Sequence, residues 1–269
     1  MSLSAGGHAT FRQRPGQSNG VPLFDETPVR AILLDIEGTT TPVDFVTTTL
    51  FPYATKKLET FLDENSRNPE IRALLADLRA QHQRDERSGL GPPQWHDDSE
   101  QQQLRSSAAY GQWLTARDSK FTPLKTLQGK IWQQGYASGE LQGEVYPDVP
   151  PALKRWRPQG KKICIYSSGS VLAQMLLFGS VRTGNLIPYI ASFFDTHVGA
   201  KTVAESYRRI GTSTGHEPTQ FLFLSDAGKE IDAARAAGMQ ALLCRREGTS
   251  GTADGAVHTV HHFNDIFPE

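Results

Sequence analysis

Four short runs of consecutive apolar residues punctuate the chain: "AILLDI" from Ala31, "KKICIYSS" from Lys161, "QFLFLSD" from Gln220 and "MQALLCR" from Met239. None alternates with polar residues. Each therefore predicts a strand covered on both faces, as in a parallel sheet flanked by helices. After the second run the spacing becomes helical: Val171, Met175 and Phe178 recur at i, i+4 and i+7, as do Val203, Tyr207 and Ile210. The alanine-rich "AGKEIDAARAAG" predicts a further helix ending on Gly238. Strands and helices alternating in this way imply a doubly wound α/β sheet.

The interval 44–146 breaks the alternation, for it holds no strand pattern. Helical stripes run through Leu50, Ala54, Leu58 and Phe61; through Ile71, Leu74, Leu75 and Leu78 after Pro69; around Leu104 and Ala108; and through Leu124, Leu127 and Ile131. The turn-rich "SGLGPPQWHDDS" divides them into two pairs. The expected organisation is thus an all-helical cap over 44–146, inserted after the first strand of an α/β core made of 28–43 and 147–269. The polar, Gly/Ser-rich residues 1–27 are expected to form a flexible tail. In "YPDVPPALKRW", Asp148 is placed to cap a helix with proline in its first turn.

Composition narrows the classes. With 38% hydrophobic residues in 269, the chain can bury a substantial core. A net charge of −1 gives no electrostatic ground for nucleic acid or an anionic membrane as partner. No apolar run approaches the ~20 residues that span a bilayer, and the N-terminal stretch lacks the apolar segment of a secretory signal. A cytoplasmic location is expected, with the nucleus also open in a eukaryote. Cys164 and Cys244 lie inside apolar runs and read as small core residues. No surface stripe demands a partner chain, so a monomer is expected.

Candidate chemistry lies where apolar strands end, since open α/β sheets bind ligands beyond their carboxyl edge. The first strand ends in Asp35 and Glu37, the second in Ser167, Ser168 and Ser170, the third in Ser225 and Asp226. Asp35 and Glu37, two apart, point to one side if extended backbone persists. A strand end with an N-cap acid would account for either alone. A third carboxylate at Asp226 makes an acidic cup suited to Mg2+, a hard cation that keeps waters and pairs with phosphate. "SSGS" before a helix offers hydroxyls and free N–H groups to an anion. Lys201 precedes a helix, where a lone lysine is ordinarily solvated. Glu230 could orient a metal-bound water or be a first-turn acid favoured by the helix dipole. "WHDD" (95–98) and "HTVHHF" (258–263) contain metal-binding residue types, but in a solvated loop and without ligand spacing respectively. Neither a Walker A nor a G-x-G-x-x-G pattern occurs.

In order, an aspartate at the first strand end, a serine at the second, a lysine before a helix and an acid pair after a later strand resemble the haloacid dehalogenase-like phosphohydrolases. The usual Asp-x-Asp-Gly-Thr motif stands here as Asp35-Ile36-Glu37-Gly38-Thr39. With "DIEGTTTPVDFV", "LQGKIWQQGY", "IYSSGSVLAQMLLFG" and "FLSDAGKEIDAA", that glutamate makes Ala31–Phe267 similar to the enolase-phosphatases of methionine salvage. The resemblance implies a Rossmann-like core under a helical cap and Mg2+ as cofactor. It also implies enolisation and dephosphorylation of 2,3-diketo-5-methylthiopentyl 1-phosphate to the acireductone. It implies Asp35 as nucleophile and metal ligand, Glu37 as acid/base and as ligand through its carbonyl, and Asp226 as the remaining protein ligand. Ser167, Ser168 and Lys201 would hold the substrate phosphate, with Thr39 and Glu230 supporting the metal site. The chain departs from the family at Ala227-Gly228, where bulkier residues are usual. The base for enolisation stays open between Glu37 and a cap residue. A capped phosphatase for another small phosphomonoester is the alternative, and a non-catalytic protein of the same fold is a more distant one.

Overall fold

A computed structural model describes residues 23–246 and 258–268. Its centre is a six-stranded parallel sheet: β1 Ala31–Leu34, β2 Lys162–Tyr166, β3 Ser192–Phe194, β4 Phe221–Ser225, β5 Gln240–Cys244 and β6 Thr259–Val260. The order is β3-β2-β1-β4-β5-β6, which puts the first strand in the middle. Leu34 stands level with Ile165 of β2 and Leu224 of β4. The residues that follow these three strands therefore emerge side by side. The chain winds from β1 outward through β2 to β3, then returns to lay β4 on the other flank of β1. That reversal opens a crevice beside the end of β1.

The four apolar runs are strands because both faces of each are buried. Ile32, Leu34, Ile163, Ile165, Leu222 and Leu224 face one core, with helices α5 (Val149–Trp156) and α6 (Val171–Gly179). Ala31, Leu33, Cys164, Tyr166, Phe221 and Phe223 face the other, with α7 (Ala204–Thr214) and α8 (Gly228–Ala236). The two cysteines are free, buried and on opposite faces. β3 and β6, three and two residues long, were not foreseen: each is shorter than the window over which an apolar pattern can be recognised.

The remaining helices are α1 (Phe51–Asn65), α2 (Pro69–Arg87), α3 (Glu100–Ala116) and α4 (Thr122–Ala137). α1 and α2 each pack against α3 and α4, around a separate core that includes Leu58, Leu62, Leu78, Leu104, Leu127 and Ile131. Asn68 and Ser99 start α2 and α3 by accepting from the N–H groups of Glu70 and Gln102. "WHDD" is a staple. Asp97 accepts from the Trp95 indole at 2.7 Å and pairs with Arg79 at 2.6 Å, tying the loop to α2. The two connections to this helical layer run through the sheet's carboxyl edge. Outbound, a π-helical turn (Phe45–Leu50) follows the β1 loop. Inbound, Gly143 N–H donates to Ser180 C=O and Tyr146 N–H to Thr40 C=O, both at 2.9 Å.

Two expectations change. Of the proposed tail, residues 1–22 lie outside the described residues. Phe24, however, meets Phe267 edge-on at 5.1 Å, and the Asp25 N–H donates to Gln240 Oε1, so the end of that segment docks on the core. Asp148 sits before α5 but does not cap it. Its Oδ2 instead accepts from the Arg246 guanidinium and from the Phe263 N–H, both at 2.6 Å. The pull of a buried guanidinium outweighs the cap. Among the described residues no helix is long and apolar enough to cross a membrane.

Two measurable consequences follow from this packing. Arg246→Met strands Asp148 as a buried charge, so urea denaturation should show a loss of about 3–5 kcal/mol. Burial pushes the thiol of Cys164 up to about 11 and that of Cys244 up to about 12. At pH 8 the native protein should react with iodoacetamide at least about a hundredfold more slowly than the urea-unfolded chain, whose thiols titrate near ~8.5. Rapid native labelling by mass spectrometry would contradict the packing described.

Candidate active site

The site is built on the level ends of β1, β2 and β4. Asp35 follows Leu34 directly and its N–H still bonds to Leu224 C=O of the neighbouring strand at 3.0 Å, so strand pairing aims its side chain. The chain must then turn away sharply. The N–H groups of Thr39, Thr40 and Thr41 all converge on the Ile36 carbonyl, while Thr40 Oγ1 donates to Asp35 C=O at 3.0 Å. Gly38 makes the turn possible with φ +69°, and a Cβ there would lie 2.2 Å from Asp226 Oδ2. Glycine thus serves twice: it takes the left-handed conformation and lets the β4 carboxylate lie against the β1 loop.

Asp35 is nearly fully buried and hydrogen-bonded on both oxygens. Oδ1 accepts from its neighbour's N–H (Ile36, 2.7 Å) and pairs with Lys201 Nζ at 2.5 Å; Oδ2 accepts from the Ser225 hydroxyl at 2.9 Å. Lys201 also pairs with Glu230 at 2.7 Å, and its side chain is only 9% exposed. It is the reverse of a solvated lysine. The loop before α7 places it, since Tyr207 OH donates to the Lys201 carbonyl and Ser206 Oγ to the Ala200 carbonyl. Burial alone would lower the ammonium pKa, but the charges of Asp35 and Glu230 outweigh it and hold the group well above its ordinary range. Ser225, at the end of β4, accepts the Ala227 N–H and is within hydrogen-bond distance of Glu230 Oε2 at 2.8 Å.

The other carboxyl groups pay for their seclusion. Burial first, then the charge of Asp35, raises Glu37 above the ordinary glutamate range. The same two causes push Asp226 up to about 6, against opposing pulls from Lys201 and Arg245. Glu230 is raised likewise by burial and Asp35. Acids that resist ionisation where they stand are acids that a cation would relieve.

The residues present fit a hard divalent ion in one specific sense. Among the described residues no three His, Cys, Asp or Glu side chains stand close enough to hold a metal. The set implied by the resemblance needs only two carboxylates, Asp35 and Asp226, plus the Glu37 carbonyl. Waters and a substrate oxygen then complete the sphere, as suits Mg2+. The carboxylate of Asp226 lies against Gly38, beside the loop that carries Glu37, where it could join such a donor set.

Of the residues singled out from sequence, Asp35, Glu37, Ser167, Lys201, Asp226 and Glu230 converge. Ser167 Oγ accepts the Gly169 N–H at 3.1 Å and reaches Glu37 Oε2 at 3.5 Å. Ser168 is exposed at the mouth and Ser170 caps α6. Thr39 is fully buried, with its Oγ1 lacking a partner and its carbonyl held by Arg246 Nε at 2.9 Å and Nη2 at 2.7 Å. Two further residues belong to the site's surroundings and carry no signal as lone arginines: Arg245, whose Nη1 donates to the Asp226 carbonyl at 3.0 Å, and Arg246. Both follow β5 at the same carboxyl edge, so the rule that found the other strand ends would have flagged them.

The family model "haloacid dehalogenase-like hydrolase" matches residues 29–238. Enolase-phosphatase E1 of Synechococcus elongatus is 44% identical over 238 residues, covering 88% of this chain and 98% of its own. Enolase-phosphatase E1 of Drosophila melanogaster is 45% identical over 231 residues, covering 85% and 88%. The crystal structure of the UTR4 protein of Saccharomyces cerevisiae superposes with a TM-score of 0.70 at 35% identity, covering 87% of this chain and 97% of that one. Enzymes of these families are generally metal-dependent. A chain so similar over nearly its whole described length belongs to the haloacid dehalogenase-like hydrolases and, among them, to the enolase-phosphatases.

Proposed function

We propose that this enolase-phosphatase converts 2,3-diketo-5-methylthiopentyl 1-phosphate to the acireductone and phosphate in methionine salvage, with Mg2+ as its metal. The observation that carries the chemistry is Asp35: a buried carboxylate at the centre of the sheet edge, aimed by strand pairing and held by Lys201 and Ser225. A carboxylate needs no base to become a nucleophile at neutral pH. Its obstacle is the phosphate's own negative charge. Mg2+, held by Asp35, Asp226 and the Glu37 carbonyl, would supply Lewis-acid charge neutralisation there.

Lys201 carries three N–H donors, two of them directed at Asp35 and Glu230. A phosphate brought to Asp35 meets the third, together with the hydroxyls of Ser167 and Ser168. Enolisation first moves a proton from C1 to the C2 oxygen, giving the enol phosphate; Asp35 then bonds to phosphorus as the C1–O oxygen leaves with the enol, forming an aspartyl-phosphate that water hydrolyses to phosphate and free Asp35. Glu37, whose raised pKa eases proton donation, would protonate the leaving oxygen and then activate the water. Thr39 and Glu230 act by support. Thr39 holds the Gly38 turn through the Arg246 contact, and Glu230 holds Lys201. The four-helix layer acts as a cap over this edge, because both its connections run through the β1 loop and the loop after α6. The enzyme is proposed to act as a monomer in the cytoplasm on this small phosphorylated diketone, without nucleic acid or membrane.

Incubated with the diketo phosphate, the protein should release phosphate and generate acireductone absorbance together. Phosphate without the enediol signal would instead favour a capped phosphatase for another ester. Asp35→Asn should reduce phosphate release by at least about 10³-fold while the thermal midpoint stays that of a folded protein; unchanged turnover would remove Asp35 from its role. EDTA should abolish activity and Mg2+ restore it. Asp226→Asn should raise the Mg2+ concentration for half-maximal rate by about tenfold or more, and an unaltered requirement would place the ion elsewhere.

A further inference from the structure

One contact between the helical layer and the sheet is not used by the chemistry above. Lys125, on α4, donates from Nζ to the Ser168 carbonyl at 3.1 Å. Among the described residues it is the one side-chain hydrogen bond from α1–α4 to the segment beyond residue 147. Ser168 belongs to the loop between β2 and α6, and its neighbour Ser167 reaches Glu37. The ammonium thus stands beside the serine loop, one residue from the serine that reaches Glu37.

Local structure does not account for a cation there. Lys125 is the fourth residue of α4, whose first turn holds no acid. The N-terminal end of a helix dipole is positive and disfavours a lysine. A main-chain carbonyl is a weak partner for an ammonium compared with a phosphate oxygen. The charge balance points the same way. Asp35, Glu37, Asp226 and Glu230 surround a single buried lysine, and a phosphate adds further negative charge to that balance.

We propose that Lys125 is a substrate-contacting residue: its ammonium moves from the Ser168 carbonyl onto the phosphate of a bound phosphomonoester, so that the helical layer supplies a second lysine beside Lys201 and the metal. The Ser168 carbonyl is then a parking position that keeps the four-stem side chain extended toward the serine loop. Ester binding and contact between the layer and the sheet become a single event. The proposal rests on phosphate binding at the serine loop as described above, not on the identity of the ester.

Calorimetric titration of inorganic phosphate into the Mg2+-supplemented protein tests it. Lys125→Met should weaken phosphate binding about tenfold, the size of one charged contact. Lys125→Arg should stay within about threefold of the parent. Lys125→Gln keeps a donor for the Ser168 carbonyl but no charge, and should bind as weakly as Lys125→Met. With p-nitrophenyl phosphate, KM should rise in the Met and Gln variants with little change in kcat. Unchanged phosphate affinity in Lys125→Met would overturn the proposal, and so would recovery in Lys125→Gln, which would make the residue a tether only. Thermal midpoints near that of the parent show that the variants are folded. Failure of the enolase-phosphatase assignment would be read separately, as missing acireductone from the diketo phosphate with the Lys125 effect on inorganic phosphate intact.

Discussion

The ion pair between Lys201 and Asp35 is the interaction on which this molecule's architecture turns. A carboxylate at the end of a central strand, with strands on both sides, has lost most of its water and would be intolerable without a counter-charge. Lys201 provides it while also pairing with Glu230, and Ser225 bridges the same two acids from β4. The knot draws together four parts of the chain: the end of β1, the end of β4, the loop before α7 and the first turn of α8. Tyr207 and Ser206 fix the lysine's own backbone from within α7, so the second hydrophobic core, in which Tyr207 is buried, is also what aims the charge.

The pairing is deliberately incomplete. One lysine pairs with Asp35 but leaves Glu37 and Asp226 displaced from ordinary carboxylate behaviour, first by burial and then by the charge of Asp35. Such a cluster stores a preference for positive charge that folding itself does not discharge. A divalent ion and cationic side chains around an arriving phosphate, as proposed above, would make use of it, so stability and catalysis make opposite demands on the same few residues.

Strand and helix patterning was legible wherever burial was two-sided or periodic. Ile32 to Leu34, Ile163 to Tyr166 and Phe221 to Leu224 are buried on both faces and read as such. The edge strand Ser192–Phe194 is half-buried throughout, so its residues carry no sharp signal. The acids and serines of the site were legible because they follow apolar strands. The burial of Lys201 was not, because its partners Asp35 and Glu230 are brought to it only by the winding of the sheet. Asp148 shows the limit of local rules. A cap position and a buried guanidinium competed for one carboxylate, and the guanidinium, nearly a hundred residues away in the chain, prevailed.

Arg246 also orders events in time. It holds the carbonyl of Thr39 across 207 residues of sequence and contacts the His261 carbonyl at 3.1 Å. Its guanidinium lies 4.5 Å from the Tyr146 ring and 4.4 Å from that of Phe263. During synthesis Asp35 emerges early, but the turn beside it acquires its clamp only once Arg246, just past β5, has been made. A nascent chain therefore carries Asp35 long before it carries the contact that sets the loop beside it.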